Sequence, residues 1–340
     1  MAELLINSQA FKHNLNLISK HLSPTQSPAL VLKDNAYGHG LKEMAGLARE
    51  NGIESVFVKN ESEALQIKNT FKHITAFYGN VSEDAPSNIY QCVQTLQTLQ
   101  TISPIRGFEL EVNCGMNRNG LSPQNLKEAF KIIAKRDLRL IGVFTHNGFG
   151  DEGGEEMDRQ ENLSKEIQAQ VLELCSSLAL PTPRFHFHNS SGTFRKKNIE
   201  EIVRVGIAGY GYLCSSHPLC EELKPIASLW ADKICSHSLK KGEKIGYGGA
   251  GVMPCDGVVS SYDLGYGDGL FRIHEHTHGK LLCDEGEHIL PRMSMDCFST
   301  LSEKERICLF RDVRGWARFF DTIPYEILTK LSPFIKKRVL

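Results

Sequence analysis

A lysine occupies a position in this sequence where a strand is expected to end. Residues 31–40 read VLKDNAYGHG, so Lys33 follows two apolar residues and precedes a polar turn that contains two glycines. In barrels of parallel strands, catalytic side chains stand at the carboxyl ends of the strands, and an amine there could act as a nucleophile. The alternative is structural, because lysines also lie at strand ends with a packed stem and a solvated amine. Position alone favours that alternative.

Three other short motifs contain residues that could bind a metal ion or a nucleotide. HFH, residues 186–188, places two histidines on one face of a strand, which would suit zinc. No ordered set of aspartate, glutamate and histidine residues accompanies it at other strand ends. GYGGAG, residues 246–251, has the spacing of dinucleotide-binding glycines but precedes strand and turn residues instead of a helix. HEHTH, residues 274–278, is typical of a solvated loop. We predict no metal site, and a zinc-dependent barrel hydrolase remains the alternative.

The composition is that of an ordinary globular protein with a small-molecule partner. The chain has 340 residues, 41% hydrophobic and 23% charged, with 39 basic residues against 40 acidic ones. That balance does not indicate a strongly basic surface that would bind nucleic acid or an anionic membrane. No apolar run is long enough to cross a bilayer. The N-terminus lacks the pattern of a secretory leader, so we expect a cytoplasmic protein. The ten cysteines are scattered and expected to be reduced.

Two regions differ in the order of their predicted elements. From residue 8 to 222, short apolar runs such as ALVLK and SVFVK alternate with amphipathic segments such as NLKEAFKIIAKR. This repetition predicts a parallel sheet with outer helices, and the number of units favours a (β/α)8, TIM-like barrel, although the pattern alone also permits an open sheet. Residues 223–340 change to short strands separated by Gly, Pro and Asp turns, which predicts a mainly β domain. Residues 1–7 are a candidate strand of that domain.

Seven motifs of this sequence resemble, in order, those of one protein family. They are VLKDNAYGHG, CGMNRNG, FTHNGFGDE, HNSSG, RVGIAGYG, GYGDGLFR and MSMD. Each is weak alone, but together they resemble the alanine racemases over nearly the whole chain. The resemblance implies a barrel that carries pyridoxal 5′-phosphate, a C-terminal β domain, and a head-to-tail homodimer whose active sites are shared between subunits.

The resemblance assigns the two bases of a racemase. Lys33 resembles the lysine that forms the Schiff base with the cofactor and serves as the base on one face of the substrate. Tyr266 in GYGDG resembles the base on the other face, contributed by the partner subunit. The cofactor is needed because a side chain can remove the α-hydrogen of an amino acid only when an electron sink stabilises the resulting charge. Without the family context, Tyr266 would be a turn tyrosine between glycines.

The same resemblance implies the residues that hold the cofactor. Arg204 in RVGI matches the arginine that faces the pyridine nitrogen. A guanidinium stays protonated, so the ring nitrogen would remain unprotonated and transamination would be disfavoured. His146 resembles the residue that links this arginine towards the partner's Tyr266. Hydroxyl groups and exposed amides suit a phosphate, and the matching positions, with the neighbouring asparagine, are Tyr37, Asn189, Ser190, Gly206 and Ile207.

The substrate site follows the family pattern with one departure. Arg118 in CGMNRNG resembles the arginine that contacts the phenolic oxygen of the cofactor and the substrate carboxylate. Met295 and Asp296 in MSMD match pocket residues contributed by the partner subunit. Many members orient the arginine with a carbamylated lysine, but Glu111 occupies that position here. Glu111 would supply a permanent carboxylate in its place; the alternative is a solvated glutamate at a strand end.

A second departure lies near the C-terminus. The family-like Tyr325 and Glu326 are present, but Pro333 or Phe334 falls where some members have a further phosphate-binding tyrosine. The resemblance predicts an isomerase that interconverts L- and D-alanine by a two-base mechanism and supplies D-alanine for peptidoglycan. A non-catalytic carrier of pyridoxal phosphate would need only the barrel, and the second domain with GYGDG argues against it. Substrate breadth stays open, because an apolar pocket rejects the extra hydroxyl of serine only weakly.

Overall fold

The chain forms two compact units in the computed structural model, which describes residues 1–195, 201–213, 217–273 and 279–340. The HEHTH motif lies outside the described residues. The unit that we call the barrel unit comprises Phe11–Ala36 and Met44–Lys224. The unit that we call the β unit comprises Met1–Ala10, Tyr37–Glu43 and Pro225–Leu340.

Strands and helices are numbered here in chain order. The strands are β1 (Glu3–Ile6), β2 (Ser27–Val31), β3 (Ser55–Val58), β4 (His73–Ala76), β5 (Ile89–Val93), β6 (Gly107–Glu111), β7 (Arg139–Phe144), β8 (Arg184–His186), β9 (Ile202–Val205), β10 (Ala227–Leu239), β11 (Lys244–Ile245), β12 (Gly251–Val252), β13 (Gly257–Tyr262), β14 (Phe298–Thr300), β15 (Arg306–Phe310) and β16 (Lys336–Val339). The helices are α1 (Ser8–His21), α2 (Lys33–Tyr37), α3 (Leu41–Glu50), α4 (Glu61–Gln66), α5 (Leu96–Thr101), α6 (Leu126–Lys135), α7 (Glu155–Ser177), α8 (Ser190–Arg195), α9 (Leu219–Glu222), α10 (Arg314–Phe319) and α11 (Pro324–Thr329). Short 3-10 helices cover Pro123–Asn125, Ile207–Tyr210, Tyr247–Gly249 and Tyr266–Asp268.

The barrel unit is built on one sheet of parallel strands. Eight strands pair in the order β8-β7-β6-β5-β4-β3-β2-β9, and β2 joins β9 with Ala29 opposite Arg204. Just beyond β8, the carbonyl of His188 accepts a hydrogen bond of 3.3 Å from the amide of Arg204 on β9. The two edges of the sheet therefore nearly meet, and the predicted (β/α)8 barrel is confirmed.

Apolar side chains on the strands and outer helices form the core of this unit. Phe108 on β6 packs in one cluster with Phe130 and Ile133 of α6 and with Ile167 and Val171 of α7. Burying such a side chain contributes roughly 1.5–3 kcal/mol, so this layer holds the strands in register. The carboxyl ends of the strands are thereby fixed in place. Among the described helices, none combines the length and apolar character that a membrane-spanning segment requires.

The β unit contains a second, mixed sheet. Its strands run β14-β13-β10-β1-β16, and β15 also pairs with β10. Leu4 on β1 lies opposite Leu229 of β10 in antiparallel pairing and opposite Lys337 of β16 in parallel pairing. The predicted mainly β second domain is confirmed, and residues 3–6 form one of its central strands.

An ion cluster joins three strands of the β unit at Glu3. The Glu3 carboxylate accepts from Arg306 at 2.8 Å and from Arg338 at 3.2 Å, and Lys336 lies 3.1 Å from its other oxygen. Hydrogen bonds from Arg306 and Lys336 lower the pKa of Glu3 to about 2, although partial burial opposes them. The carboxylate is therefore stabilised in its ionised form by cations on β15 and β16.

We expect Glu3→Gln to lower the melting temperature in a pH-dependent way. The folded-state pKa lies below the ordinary value, so the stabilisation is complete above about pH 4.5 and is lost as the pH falls towards 2. Calorimetry between pH 2.5 and 7 should show a deficit at neutral pH that shrinks in acid. Glu305→Gln is the control. It removes the ion pair between Glu305 and Lys233, and it should have little effect on the melting temperature because the Glu305 side chain is 86% exposed. A Glu3→Gln deficit independent of pH would contradict this account.

Candidate active site

Lys33 begins a turn with an unusual backbone. β2 ends at Val31, and the short helix α2 that starts at Lys33 is left-handed, since φ lies between 53° and 55° at all four residues from Asp34 to Tyr37. Such a conformation costs roughly 1–2 kcal/mol per non-glycine residue. The turn therefore forms only because its surroundings hold it.

Glu63 in the first turn of α4 supplies much of that support. Its carboxylate accepts one hydrogen bond from the amide of Asn35 and one from the amide of Lys59, each 2.8 Å long. The Lys59 ammonium also pairs with the Asp34 carboxylate at 2.7 Å. Side chains from the loop after β3 and from α4 thus fix the backbone next to Lys33.

The environment of Lys33 favours its neutral amine. Burial lowers the pKa of Lys33 the most; the Asp34 carboxylate opposes this effect, and the Arg118 guanidinium adds to it. A lowered pKa increases the fraction of the amine that carries a lone pair at neutral pH. Lys33 is therefore suited to attack a carbonyl carbon.

His146 lies among the cations of the barrel mouth. Its pKa is well below the ordinary value, first because of burial and then because of the charges of Arg204, Arg118 and Lys33. A neutral imidazole therefore faces three cationic side chains that come from different strand ends. The structure brings together these four predicted site residues.

The guanidinium of Arg204 is buried and held by the barrel itself. Its Nη1 donates to Nδ1 of His186 at 2.6 Å and to the carbonyl of His186 at 2.8 Å. Its Nη2 donates to the carbonyls of Thr145 at 2.8 Å and Phe187 at 3.2 Å, with Nδ1 of His146 at 3.4 Å. These contacts define one orientation of the side chain.

Hydrogen-bond donors converge at the start of α8. The hydroxyl of Ser190 accepts from the amides of Gly206 at 2.9 Å and Ala208 at 3.3 Å. Both amides lie at the beginning of the 3-10 helix Ile207–Tyr210. The structure thus brings together the predicted residues Ser190, Gly206 and Ile207, and it adds the amide of Ala208. A hydroxyl and clustered amides are suitable donors for a phosphate.

Asn189 has a local structural role in this segment. Its side-chain oxygen accepts from the amide of Gly192 at 3.0 Å, and its carbonyl accepts from the amide of Thr193 at 3.0 Å. This is the geometry of a helix N-cap. Asn189 therefore holds α8, which begins with Ser190.

The contact between Glu111 and Arg118 expected from the sequence is not formed. Glu111 accepts a hydrogen bond of 2.7 Å from Gln94, and no hydrogen bond or ion pair joins it to Arg118 in the described part of the chain. The two residues line one narrow crevice with His146. Burial raises the pKa of Glu111, and the hydrogen bond from Gln94 and the charges of Arg204 and Arg118 oppose that rise. Arg118 influences Glu111 through its charge without touching it.

The β unit brings together the three residues that were assigned to the partner's contribution. The amide of Gly267 donates to the carbonyl of Met295 at 2.8 Å. A Cβ at Gly267 would lie 3.0 Å from that carbonyl and 3.5 Å from Asp296, so glycine allows this close approach beside Tyr266. The Arg272 guanidinium lies 5.7 Å from the centre of the Tyr266 ring. Tyr266 is 37% exposed.

The aromatic ring of Tyr37 packs near another tyrosine of the β unit. The ring centres of Tyr37 and Tyr325 are 5.9 Å apart. Phe334, one of the two residues that fall where some family members have a further phosphate-binding tyrosine, is 93% exposed. Tyr325 is thus the C-terminal tyrosine that accompanies Tyr37.

The HFH motif has a different role from the one that a zinc site would require. Nε2 of His186 contacts Glu109 at 2.8 Å and Nδ1 accepts from Arg204, so both ring nitrogens are engaged. The described residues contain no group of three or more histidine, cysteine, aspartate or glutamate side chains placed to hold a metal ion.

Comparison with known proteins agrees with this arrangement. The family models for the N-terminal and C-terminal domains of alanine racemase match residues 6–214 and 226–339. An alanine racemase of Campylobacter curvus (strain 525.92) is 40% identical over 339 residues, which cover 99% of each protein.

The chain belongs to the alanine racemase family. Solved structures of similar fold include alanine racemase from Clostridium difficile 630, with a TM-score of 0.88 at 24% identity, covering 100% of this chain and 95% of that one. Another is alanine racemase from Bartonella henselae with covalently bound pyridoxal phosphate, with a TM-score of 0.83 at 24% identity, covering 100% of this chain and 99% of that one.

Family membership confirms the predictions of an isomerase and of pyridoxal phosphate as the cofactor. The barrel unit of this racemase fits that cofactor chemically. Lys33 offers an amine with a lowered pKa, and Ser190, whose oxygen accepts from the amide of Gly206, offers its hydroxyl hydrogen to a phosphate. The cationic Arg204 and Arg118 would offset the charges of the phosphate and of a substrate carboxylate.

Sequence reasoning missed several residues that shape this racemase site. Glu63 lies in none of the seven motifs, and only the folded backbone brings it near Lys33. Ala208 and Arg272 lie within RVGIAGYG and GYGDGLFR, but the sequence assigned no role to either residue. Asn60, whose side chain accepts from the amide of Glu63 at 3.2 Å, marks the start of α4 and was the one local signal for Glu63.

We expect Glu63→Gln to slow covalent attachment of pyridoxal phosphate to Lys33. The single oxygen of glutamine cannot replace both carboxylate oxygens, and the NH2 group of glutamine would face a backbone N–H. The free energy of unfolding should therefore fall by about 1–3 kcal/mol. Reduction with borohydride during reconstitution, followed by mass spectrometry, should show attachment to Lys33 slowed by roughly tenfold, the effect of ~1.4 kcal/mol.

Glu61→Gln is the matched control on the same helix. Glu61 also accepts two hydrogen bonds, from the amide of Ser82 at 2.9 Å and from its hydroxyl at 2.5 Å. Both bonds reach the same oxygen, Oε1, which the amide oxygen of glutamine can replace, so we expect a smaller loss of stability and normal attachment. Equal attachment rates in the two variants would remove Glu63 from this role.

Proposed function

We propose that a homodimer of this chain interconverts L- and D-alanine at active sites shared between its subunits, with Lys33 of one copy and Tyr266 of the other as the two bases. The observation that carries this proposal is the convergence of Lys33, whose amine has a lowered pKa, with Arg118, His146 and Arg204 at the carboxyl ends of the barrel strands. The alanine racemase of Campylobacter curvus, 40% identical, supports the substrate.

The cofactor would be held by both polar and charged groups. Lys33 would anchor it covalently, and the Ser190 hydroxyl with the amides at Gly206 and Ile207 would bind its phosphate. Arg204 would face its ring nitrogen, and Tyr37 would add a contact to the phosphate. When bound, pyridoxal phosphate supplies an electron sink that acidifies the α-hydrogen of an amino acid.

The two bases then differ in how the fold presents them. Lys33 accepts or returns a proton at Nζ, and the rigid left-handed turn after it limits the positions that this atom can reach. Tyr266 stands in a glycine-flanked turn of the β unit, next to Met295 and Asp296. Its partial exposure supports a role towards a second copy of the chain.

Arg118 would bind the carboxylate of alanine. Its guanidinium is exposed and makes no ion pair within the described residues, so it is available to an anion. Glu111 would limit the excess of positive charge at this place as a fixed carboxylate held by Gln94. We infer that its effect on Arg118 is electrostatic, since no hydrogen bond or ion pair joins the two side chains within the described residues.

The setting of the reaction is also part of the proposal. A racemase of this family would supply D-alanine for peptidoglycan, and we place it in the cytoplasm. The near-neutral charge balance, 39 basic against 40 acidic residues, supports a small-molecule substrate over a polyanion.

Complementation between inactive chains tests the shared site. Lys33→Ala and Tyr266→Ala chains should each be inactive. In a random mixture, half of the dimers contain both chains, and two-fold symmetry gives each of these one intact site, so about a quarter of wild-type activity should return. Lys33→Ala should also lose the borohydride-reducible adduct at this residue. Absence of recovery in a mixture shown by mass spectrometry to contain mixed dimers would disprove the sharing.

Substitution of Glu111 tests its proposed charge effect. Wild-type activity should not respond to bicarbonate. Glu111→Ala should lower kcat/KM about tenfold, equivalent to ~1.4 kcal/mol, with little loss of fold. Glu111→Lys should be worse at low CO2, because it adds a cation near Arg118, and bicarbonate should restore part of its activity by forming a carbamate. Wild-type activity in the alanine variant, or a lysine variant insensitive to bicarbonate, would contradict the proposal.

A further inference from the structure

Glu109 is a fully buried carboxylate in the interior of the barrel. It lies on β6, two residues before Glu111, and its exposure is 0%. An ionised carboxylate in such a place is costly unless it is paired and hydrogen-bonded. Its partners therefore indicate what it does.

Three side chains satisfy Glu109. Oε1 accepts from Nε of Arg184 at 3.0 Å and from the hydroxyl of Thr75 at 3.2 Å, and Oε2 contacts Nε2 of His186 at 2.8 Å. Burial alone would raise the pKa of Glu109, but the charge of Arg184 and the contact with His186 outweigh it and hold the pKa well below its ordinary value. The carboxylate is therefore ionised and can only accept hydrogen bonds.

The contact with Glu109 determines which nitrogen of His186 carries the proton. Burial lowers the pKa of His186 to about 4, so the imidazole is neutral at pH 7 and has one N–H. Because Glu109 can only accept, that hydrogen belongs on Nε2. Nδ1 then has a free electron pair, and it accepts from Nη1 of Arg204 at 2.6 Å.

The ring of His186 has little freedom to turn away from this arrangement. It stacks on Phe144 with ring centres 4.8 Å apart and planes inclined by 11°, and the ring of Phe57 lies 5.1 Å away. The Arg204 guanidinium lies 5.1 Å from the centre of the same Phe144 ring. Glu109, His186 and Arg204 thus form one packed series of hydrogen bonds.

We propose that Glu109 is a positioning residue that, through the Nε2–H tautomer of His186, fixes the orientation of Arg204 and so favours racemisation over transamination. The inference rests on the proposed function, in which Arg204 faces the ring nitrogen of the cofactor. If Glu109 could donate, the hydrogen of His186 could move to Nδ1. Two N–H groups would then face each other across the His186–Arg204 contact, and the guanidinium would have to turn.

Glu109→Gln in the holoenzyme is the principal test. The amide can either donate or accept, so it no longer specifies the tautomer. Nitrogen-15 NMR with labelled histidine, assigned by comparison with His186→Phe, should show Nε2–H in the wild type and a mixture of tautomers in the variant. The ratio of transamination to racemisation should rise roughly tenfold, corresponding to ~1.4 kcal/mol.

Arg184→Lys is the matched control. It keeps the positive charge of Arg184, and the ammonium holds Glu109 ionised, so an acceptor still faces His186. Stability should fall with the loss of the guanidinium contacts, while the tautomer and the reaction ratio stay as in the wild type. In a His186→Phe background, Glu109→Gln should not change the ratio further, because the residue through which it acts is absent. Glu109→Asp, which keeps the charge, should retain the Nε2–H tautomer and gives a second variant if the glutamine form folds poorly.

The outcomes separate this inference from the proposed function. An unchanged tautomer and ratio in Glu109→Gln, or an equal change of ratio in Arg184→Lys, would reduce Glu109 to a structural ion-pair partner. A wild-type protein without racemase activity would contradict the proposed function, whereas the NMR comparison would still decide whether Glu109 controls His186.

Discussion

The left-handed backbone between Asp34 and Tyr37 is the constraint on which the site depends. If β2 were followed by a right-handed helix, Lys33 would lie in a different position. The left-handed conformation costs about 1–2 kcal/mol for each non-glycine residue. The turn persists because Glu63 and Lys59 are themselves fixed by β3 and α4. The packing of the barrel therefore determines the position of the Lys33 amine. This support explains why the strained turn keeps a single conformation.

Positive charge is the second organising feature of the barrel mouth. Burial lowers the pKa of His146 the most, and the charges of Arg204, Arg118 and Lys33 lower it further, so its imidazole is neutral. Such a cluster is unfavourable in the absence of anions, because like charges repel across a partly desolvated region. A phosphate and a substrate carboxylate are the groups that would relieve this repulsion. The repulsion between these cations would thus favour anionic ligands over neutral ones.

The sequence was informative where chemistry depends on short motifs and on the order of elements. Alternating strands and helices predicted the barrel, and Lys33 at the end of β2 could be identified from its motif. The contacts that orient the site were beyond such reasoning. Glu109 and Arg184 are 75 residues apart along the chain, and their contact depends on the strand order. Asn189, which the sequence predicts to bind the cofactor, also caps α8; the motif did not indicate that cap, because the local hydrogen bonds of an asparagine depend on backbone geometry.

Two glutamates of β6 show why residue type and spacing alone leave a role undetermined. Glu109 and Glu111 are two residues apart, so they share one face of the strand, and both are buried. Burial raises the pKa of Glu111, where the direct partner is the neutral amide of Gln94, yet the pKa of Glu109 falls because the Arg184 guanidinium contacts it. The Glu109 carboxylate therefore belongs to the series of hydrogen bonds that ends at Arg204. The charge of Arg118, by contrast, lowers the pKa of the Glu111 carboxylate and opposes the effect of burial. One strand thus supplies the barrel with a carboxylate that is linked to Arg204 through His186 and, two residues further along, with a second carboxylate that Gln94 holds near Arg118.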